Sequence, residues 1–289
     1  MAIENIFDYI EVTPPYFALE NLRQNEEGFI LAKIPIQQPL DMEVGYISTA
    51  EAGRHLAILG SCSVAMSNSH KSKHYYLAYH AEYFNKAAQE NYEILNYINA
   101  VAKGKLINKR TAISECFMLK DNNIIATLKV LYHVISEKIF EKIYKNFQIH
   151  TNFDETLNPY DIAMPIENIS IINRKLTASL GEILASNCYG HFQRFPAMPV
   201  AILSSSLNRA SGYLLKEILQ QNDFKYNDFK YIVRSVIVKA ENLAFAGEIV
   251  NLEVEFLNSH DNNYVFRGKA IANSTKEVGD LLITLNPVF

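Results

Sequence analysis

The sequence predicts an α+β protein of two similar units, each an antiparallel sheet wrapped around one long buried helix. Three observations carry this. Two segments, 49–66 and 199–219, are apolar on nearly every side, and a helix apolar all round is a buried helix. Each is followed by runs rich in β-branched and aromatic residues. The same order then recurs after roughly 140 residues, which marks an internal repeat.

The elements follow in order. TAEAGRHLAILGSCSVAM (49–66) forms the first helix, with small residues mixed among the large ones. HYYLAYHAEYF (74–84), KLINKRTAISECFML (105–119) and NIIATLKVLYHVI (123–135) read as strands. The DNN at 121–123 supplies turn residues. SEKIFEKIYKNFQ (136–148) reads as a short helix or strand end, and RKLTASLGEILAS (174–186) as a strand before the second helix. That helix, 199–219, opens on Pro199, which suits a first helical turn. Strands follow at 231–243, 248–258, 264–274 and 277–286, with SHDNN (259–263) as a turn. The predicted boundary lies in FDETLNPYDIAMP (153–165), dividing the chain into 1–152 and 153–289.

Composition bounds the function. The 289 residues suffice for two ordinary domains, and 49% hydrophobic with 20% charged residues describes a globular protein with a sizeable core. No apolar run is long enough to span a membrane, and the acidic N-terminus does not resemble a secretory signal. A net charge of -4 gives no case for a nucleic-acid partner. Cys62, Cys116 and Cys188 are far apart and form no CxxC, so no metal site is expected; sparse cysteines fit a reducing cytoplasm. His70, His74 and His80 lie on a loop and an alternating strand and do not form a metal-ligand pattern.

The strongest local signal is HFQRFPAMPVAILSSSLNRASG, 191–212. It resembles the 3-hydroxyacyl-[acyl carrier protein] dehydratases of the hotdog fold. That family reads His-Phe-Pro-Gly-x-Pro-x-Met-Pro-Gly, then an apolar stretch, then an acid on the buried helix. His191, Phe192, Pro196, Met198 and Pro199 match in register, and the strands that follow extend the likeness over about 165–289. Gln193 and Arg194 replace the Pro-Gly pair, Val200 replaces the last Gly, and Ser205 stands where the acid belongs.

The first half supplies the missing acid. With helix laid on helix, Glu51 takes the acid's place, His55 lies one turn on, and Gln37 stands where the family has its His. The resemblance therefore implies a fused double hotdog with one composite site, His191 as base and Glu51 as acid. The opposite pairing, Gln37 with Ser205, would be inactive. Gly45 and Tyr46, near the start of the first helix, would stabilise the thioester oxygen. His55, Pro196 and Met198 would help bind substrate.

The chemistry suits these residues. A neutral His can take the C2 proton of a 3-hydroxyacyl thioester, and a buried carboxyl can protonate the departing hydroxide. The resemblance implies no metal or redox cofactor. It implies an acyl carrier protein or CoA thioester partner, in fatty acid or polyketide-type metabolism. The alternatives are a hotdog thioesterase or acyltransferase, with Glu51 activating water and His191 mattering less in the thioesterase, and a non-catalytic partner of an acyl carrier protein. A homodimer or a hotdog hetero-partner is compatible with either. Ser61, Cys62 and Ser63 read as helix packing rather than a nucleophile, because no strand-turn elbow surrounds them. Arg209 is a charge on a buried helix whose partner, an acid or a carrier phosphate, stays open.

Overall fold

The structure, a computed structural model, describes residue 3 and residues 5–87, 92–149, 158–221 and 228–288. The first half contains β1 (Glu20–Gln24), β2 (Ile30–Pro35), α1 (Thr49–Ser67), β3 (His74–Asn85), β4 (Tyr97–Asn108), β5 (Thr111–Lys120), β6 (Asn123–Ser136) and the short α2 (Glu137–Ile143). The second contains β7 (Glu167–Ile172), β8 (Lys175–Glu182), α3 (Val200–Gln220), β9 (Lys230–Lys239), β10 (Ile249–His260), β11 (Asn263–Ala272) and β12 (Lys276–Val288).

All these strands form one sheet in the order β1-β2-β4-β5-β6-β3-β9-β12-β11-β10-β8-β7. Read outward from its centre, each half has the same order: β3-β6-β5-β4-β2-β1 on one side and β9-β12-β11-β10-β8-β7 on the other. The halves join where β3 and β9 pair antiparallel, from His80 opposite Lys239 to Phe84 opposite Ser235. A pseudo-twofold relation therefore passes between β3 and β9, and this is the double-hotdog arrangement the sequence predicts. The expected boundary at 152/153 lies outside the described residues.

Each long helix is buried by its own half of the sheet. Ser48 caps α1, its Oγ accepting from the Glu51 N–H at 3.3 Å, and this satisfies one of the donors a helix start leaves open. On α1, Leu56, Leu59, Cys62 and Val64 are fully buried; on α3, Leu207, Leu214 and Leu215 are. α1 sits tight on the sheet because Gly60 has no side chain. A Cβ there would lie 3.1 Å from Cys116 Sγ and press on the hydroxyls of Ser114 and Tyr132. The Tyr132 hydroxyl instead donates to the Ala57 carbonyl at 2.8 Å, tying β6 to α1.

The strand text at 105–119 is not one strand. The chain turns at 109–110, and the preceding run from Tyr97 forms most of β4. Asn108 makes the turn, its Oδ1 accepting from the N–H groups of Arg110 (2.8 Å) and Thr111 (3.0 Å). The other predicted turns form as expected. Asp121 and Asn122 adopt φ of 49° and 66°, and Asp261 and Asn262 adopt 46° and 62°, as two-residue hairpins require.

Candidate active site

The loop 188–199 places His191. Its backbone N–H donates to the Cys188 carbonyl at 2.8 Å. Phe192 follows in the left-handed region at φ 56°, uncommon for a side chain of its size. Phe192 is held there by an aromatic cluster with Tyr75, Phe140, Phe195 and Phe245, in which Tyr75 and Phe140 stack at 3.6 Å. The motif's matches are all buried, whereas Gln193 and Arg194 are exposed. Arg194 forms an ion pair with Glu141 on α2. Pro196 and Met198 hold the loop in place: Pro196's carbonyl accepts from the Ala246 N–H at 2.9 Å, and Met198's N–H donates to Ala244 at 2.7 Å.

The His191 ring is 8% exposed. Its Nδ1 lies 2.7 Å from the Ala197 carbonyl oxygen. A carbonyl only accepts, so Nδ1 carries the proton and Nε2 keeps the basic lone pair. Burial drives the ring's pKa down to about 4, against a smaller upward pull from the Ala197 bond. His191 is thus a neutral imidazole at physiological pH. The N-terminal segment covers it: Thr13 N–H donates to the Gly190 carbonyl at 2.8 Å, and the Tyr16 ring lies 4.7 Å from the imidazole.

His191 opens on a cavity of about 140 Å³ beneath α1 and α3, along the seam of β3 and β9. A water takes about 30 Å³ in the liquid, so the space holds several. Its walls are mostly apolar, with Ile58, Leu128, Val236 and Val238 among them. The polar lining includes Tyr16, Arg54, Ser204 and Asn208. Exposed His133, Glu241 and Asn242 lie at its rim. Val200 and Ala201 also line it. As the first two residues of α3, they have no carbonyl one turn back for their N–H groups.

Glu51 is 3% exposed and is engaged by its own half. Its Oε1 accepts from the Gln37 N–H at 2.7 Å, and its Oε2 accepts from the Gln38 N–H at 3.3 Å. His55 Nε2 lies 3.6 Å away and Arg54 Nη2 3.9 Å. Glu51 is not among the residues lining the cavity; Arg54 is. The guanidinium hydrogen-bonds the Gln37 side chain and sits over the rings of Tyr160 (4.9 Å) and Tyr16 (6.0 Å). Tyr16 thus touches both Arg54 and His191. Burial lowers the Arg54 pKa while Glu51 opposes the shift, and it raises the Tyr16 hydroxyl to about 12, with Arg54 pulling the other way.

The remaining expected residues lie elsewhere. His55 is fully buried beside Glu51 and Arg54, its pKa pushed down to about 4 by burial. Gly45 and Tyr46 line a second, much smaller pocket with Tyr92 and Met118. Ser205 is not a cavity residue, but its neighbour Ser204 is. Arg209 donates from Nη1 to the Met164 carbonyl at 2.7 Å. Sequence reasoning missed Tyr16, Arg54 and Asn208. The polar interruptions of two apolar helices at 54 and 208 were the available signal for the last two.

The buried imidazoles make stability depend on pH. Each is about 4 folded against 6.5 unfolded, so between those values the unfolded chain binds more protons and stability rises with pH. Each contributes up to about 3 kcal/mol across that window. Glu43, raised to about 7 mainly by burial, works in the opposite sense as pH rises toward 7. Urea titrations at several pH values should show the unfolding free energy climbing from pH 4 to 6.5, with a shallower slope in His191→Asn. A flat profile would refute the buried neutral state.

No protein-family description matches the chain, and no curated protein matches it. Solved structures do resemble it. A protein of unknown function with the hot dog fold from Alicyclobacillus acidocaldarius is 9% identical, with a TM-score of 0.57 over 96% of this chain and 99% of that one. The 12:0-ACP thioesterase of Umbellularia californica is 7% identical, with a TM-score of 0.58 over 96% and 100%. The acyl-CoA thioesterase II TesB2 of Mycobacterium marinum is 9% identical, with a TM-score of 0.53 over 93% and 96%. At these identities the likeness establishes the fold, and the chain is a double hotdog. No helix among the described residues is long and apolar enough to cross a membrane.

Proposed function

We propose that this protein is an acyl-thioester hydrolase in which His191 is the general base. The observation that carries the reading is a neutral imidazole with its Nδ1–H fixed by Ala197, at the wall of an apolar cavity. In the reaction, Nε2 takes a proton from water as its oxygen attacks the thioester carbonyl. The charge gathering on the carbonyl oxygen is met by the first N–H groups of α3, at Val200 and Ala201. The C–S bond then breaks, and the imidazolium returns its proton to the departing sulfur. The products are a free acid and a thiol. The acyl chain occupies the apolar part of the cavity. The carrier is CoA or an acyl carrier protein, the substrate classes in the names of two fold neighbours.

Hydrolysis is favoured over dehydration because it needs one base and an oxyanion site. Dehydration also needs an acid at the reacting carbons, and the Glu51 carboxylate is taken up by the amides of Gln37 and Gln38. The dehydratase reading keeps one specific support, the burial of all five matching motif residues, His191 and four around it. An assay offering a saturated acyl-CoA and the matching 3-hydroxyacyl-CoA separates the two. Thiol release from both, with no enoyl product, is the expected result. Enoyl formation lost in both His191→Ala and Glu51→Gln would instead establish dehydration. If both thioesters are returned unchanged, the enzymatic reading fails.

A further inference from the structure

The cavity is asymmetric in a way that the pseudo-twofold fold does not require. Ala50 and Ala201 are the second residues of α1 and α3, Gly53 and Ser204 the fifth, Ala57 and Asn208 the ninth, and all six line the cavity. On α1 this row is small and apolar. On α3 it carries a hydroxyl and an amide. Asn208 is 1% exposed, and neither Oδ1 nor Nδ2 has a hydrogen-bond partner. A buried amide without partners is costly, and the cost is recovered when a ligand supplies them.

We propose that Asn208 recognises a hydroxyl group carried in the middle of the substrate's acyl chain. This rests on the hydrolase reading for the thioester end alone. Asn208 offers both a donor and an acceptor, and so does the Ser204 hydroxyl one turn earlier. A hydroxyl satisfies both functions of the amide; a carboxylate, which only accepts, leaves Oδ1 unpaired. Position excludes the carbons next to the thioester. Asn208 lies seven residues beyond Ala201, about 10 Å along the helix axis, so the recognised group sits well past C3. The small residues of α1 opposite leave room for the substituent. Asn208 is a specificity-determining residue here, not a catalytic one.

The test compares stearate, 3-hydroxystearate and 10-hydroxystearate as free acids binding the full chain by calorimetry, and as CoA thioesters in turnover. The wild type is expected to bind the 10-hydroxy acid about tenfold or more tighter than either other acid. Asn208→Leu is expected to lose that preference and to bind stearate more tightly. If circular dichroism shows that the Leu variant is unfolded, Asn208→Ala carries the same comparison. Equal binding of all three acids by the wild type, or an unchanged preference in the variant, overturns the proposal; a water filling the site gives that result. The two readings fail separately. Selective binding without turnover leaves this inference standing and removes the hydrolase. Turnover of all three thioesters at equal kcat/KM, with equal binding, removes only this inference.

Discussion

His191→Asn is expected to lower kcat/KM for acyl thioesters by about 10²–10⁴-fold while leaving the protein folded. The substituted amide can still donate to the Ala197 carbonyl, so the loop keeps its anchor and loses only the base. His191→Ala removes the anchor as well. It should lose the same activity and, with a buried carbonyl left unpaired, a further ~1–3 kcal/mol of stability. The pair therefore separates chemistry from structure: equal rates with unequal unfolding midpoints is the signature. The pH profile adds a second check. kcat/KM reports the free protein, in which His191 sits near 4 because of burial. Activity should hold from neutral pH downward and fall only as pH approaches that value. Retained activity in His191→Asn would remove the base from the mechanism. A profile that breaks near the ordinary imidazole value would leave the base in place but refute the burial that pushes its pKa down.

How much of this was legible in the sequence depended on how local each feature is. The two helices were legible to within a residue at their ends, because a helix apolar on all sides leaves an unmistakable run. The hairpins at 121–122 and 261–262 were legible because Asp and Asn tolerate the left-handed backbone they need. The edge strands were not. β1 reads ENLRQ and β7 reads ENISII, with little burial to impose alternation. The loop motif was recognisable because its matching residues are the buried ones; two of its departures, Gln193 and Arg194, fall where solvent imposes little. The spatial pairing was the illegible part. Whether Glu51 turns toward the cavity or toward the amides of Gln37 and Gln38 is decided by the chain before α1. Tyr16 reaches His191 only because a segment far away in sequence folds over Gly190. Asn208 was visible as a polar residue, but which face of α3 it occupies follows from the packing of the whole sheet.

That overlying segment sets the second large effect. Gly190→Ala is expected to cost several kcal/mol of stability and most of the activity, although it removes no functional group. Gly190 has φ of 81°, where a residue with a Cβ carries a strain of about 1–3 kcal/mol. Strain is the smaller part. A Cβ at Gly190 would lie 2.8 Å from the Tyr16 nitrogen and 3.1 Å from the Pro14 carbonyl carbon, and would overlap the Thr13 oxygen. These are backbone atoms and cannot rotate aside. The 13–16 segment must lift, breaking the Thr13–Gly190 hydrogen bond and withdrawing Tyr16 from both His191 and Arg54. Gly247→Ala is the control, because its φ of 89° imposes the same strain with nothing within 4 Å of the added carbon. Chemical denaturation and kcat/KM measured on both variants decide the matter. If Gly190→Ala loses no more stability than Gly247→Ala and keeps its activity, the N-terminal segment does not hold the imidazole in place. If it loses both, the order of this site is imposed from outside the motif, by a stretch of chain that the motif itself gives no reason to examine.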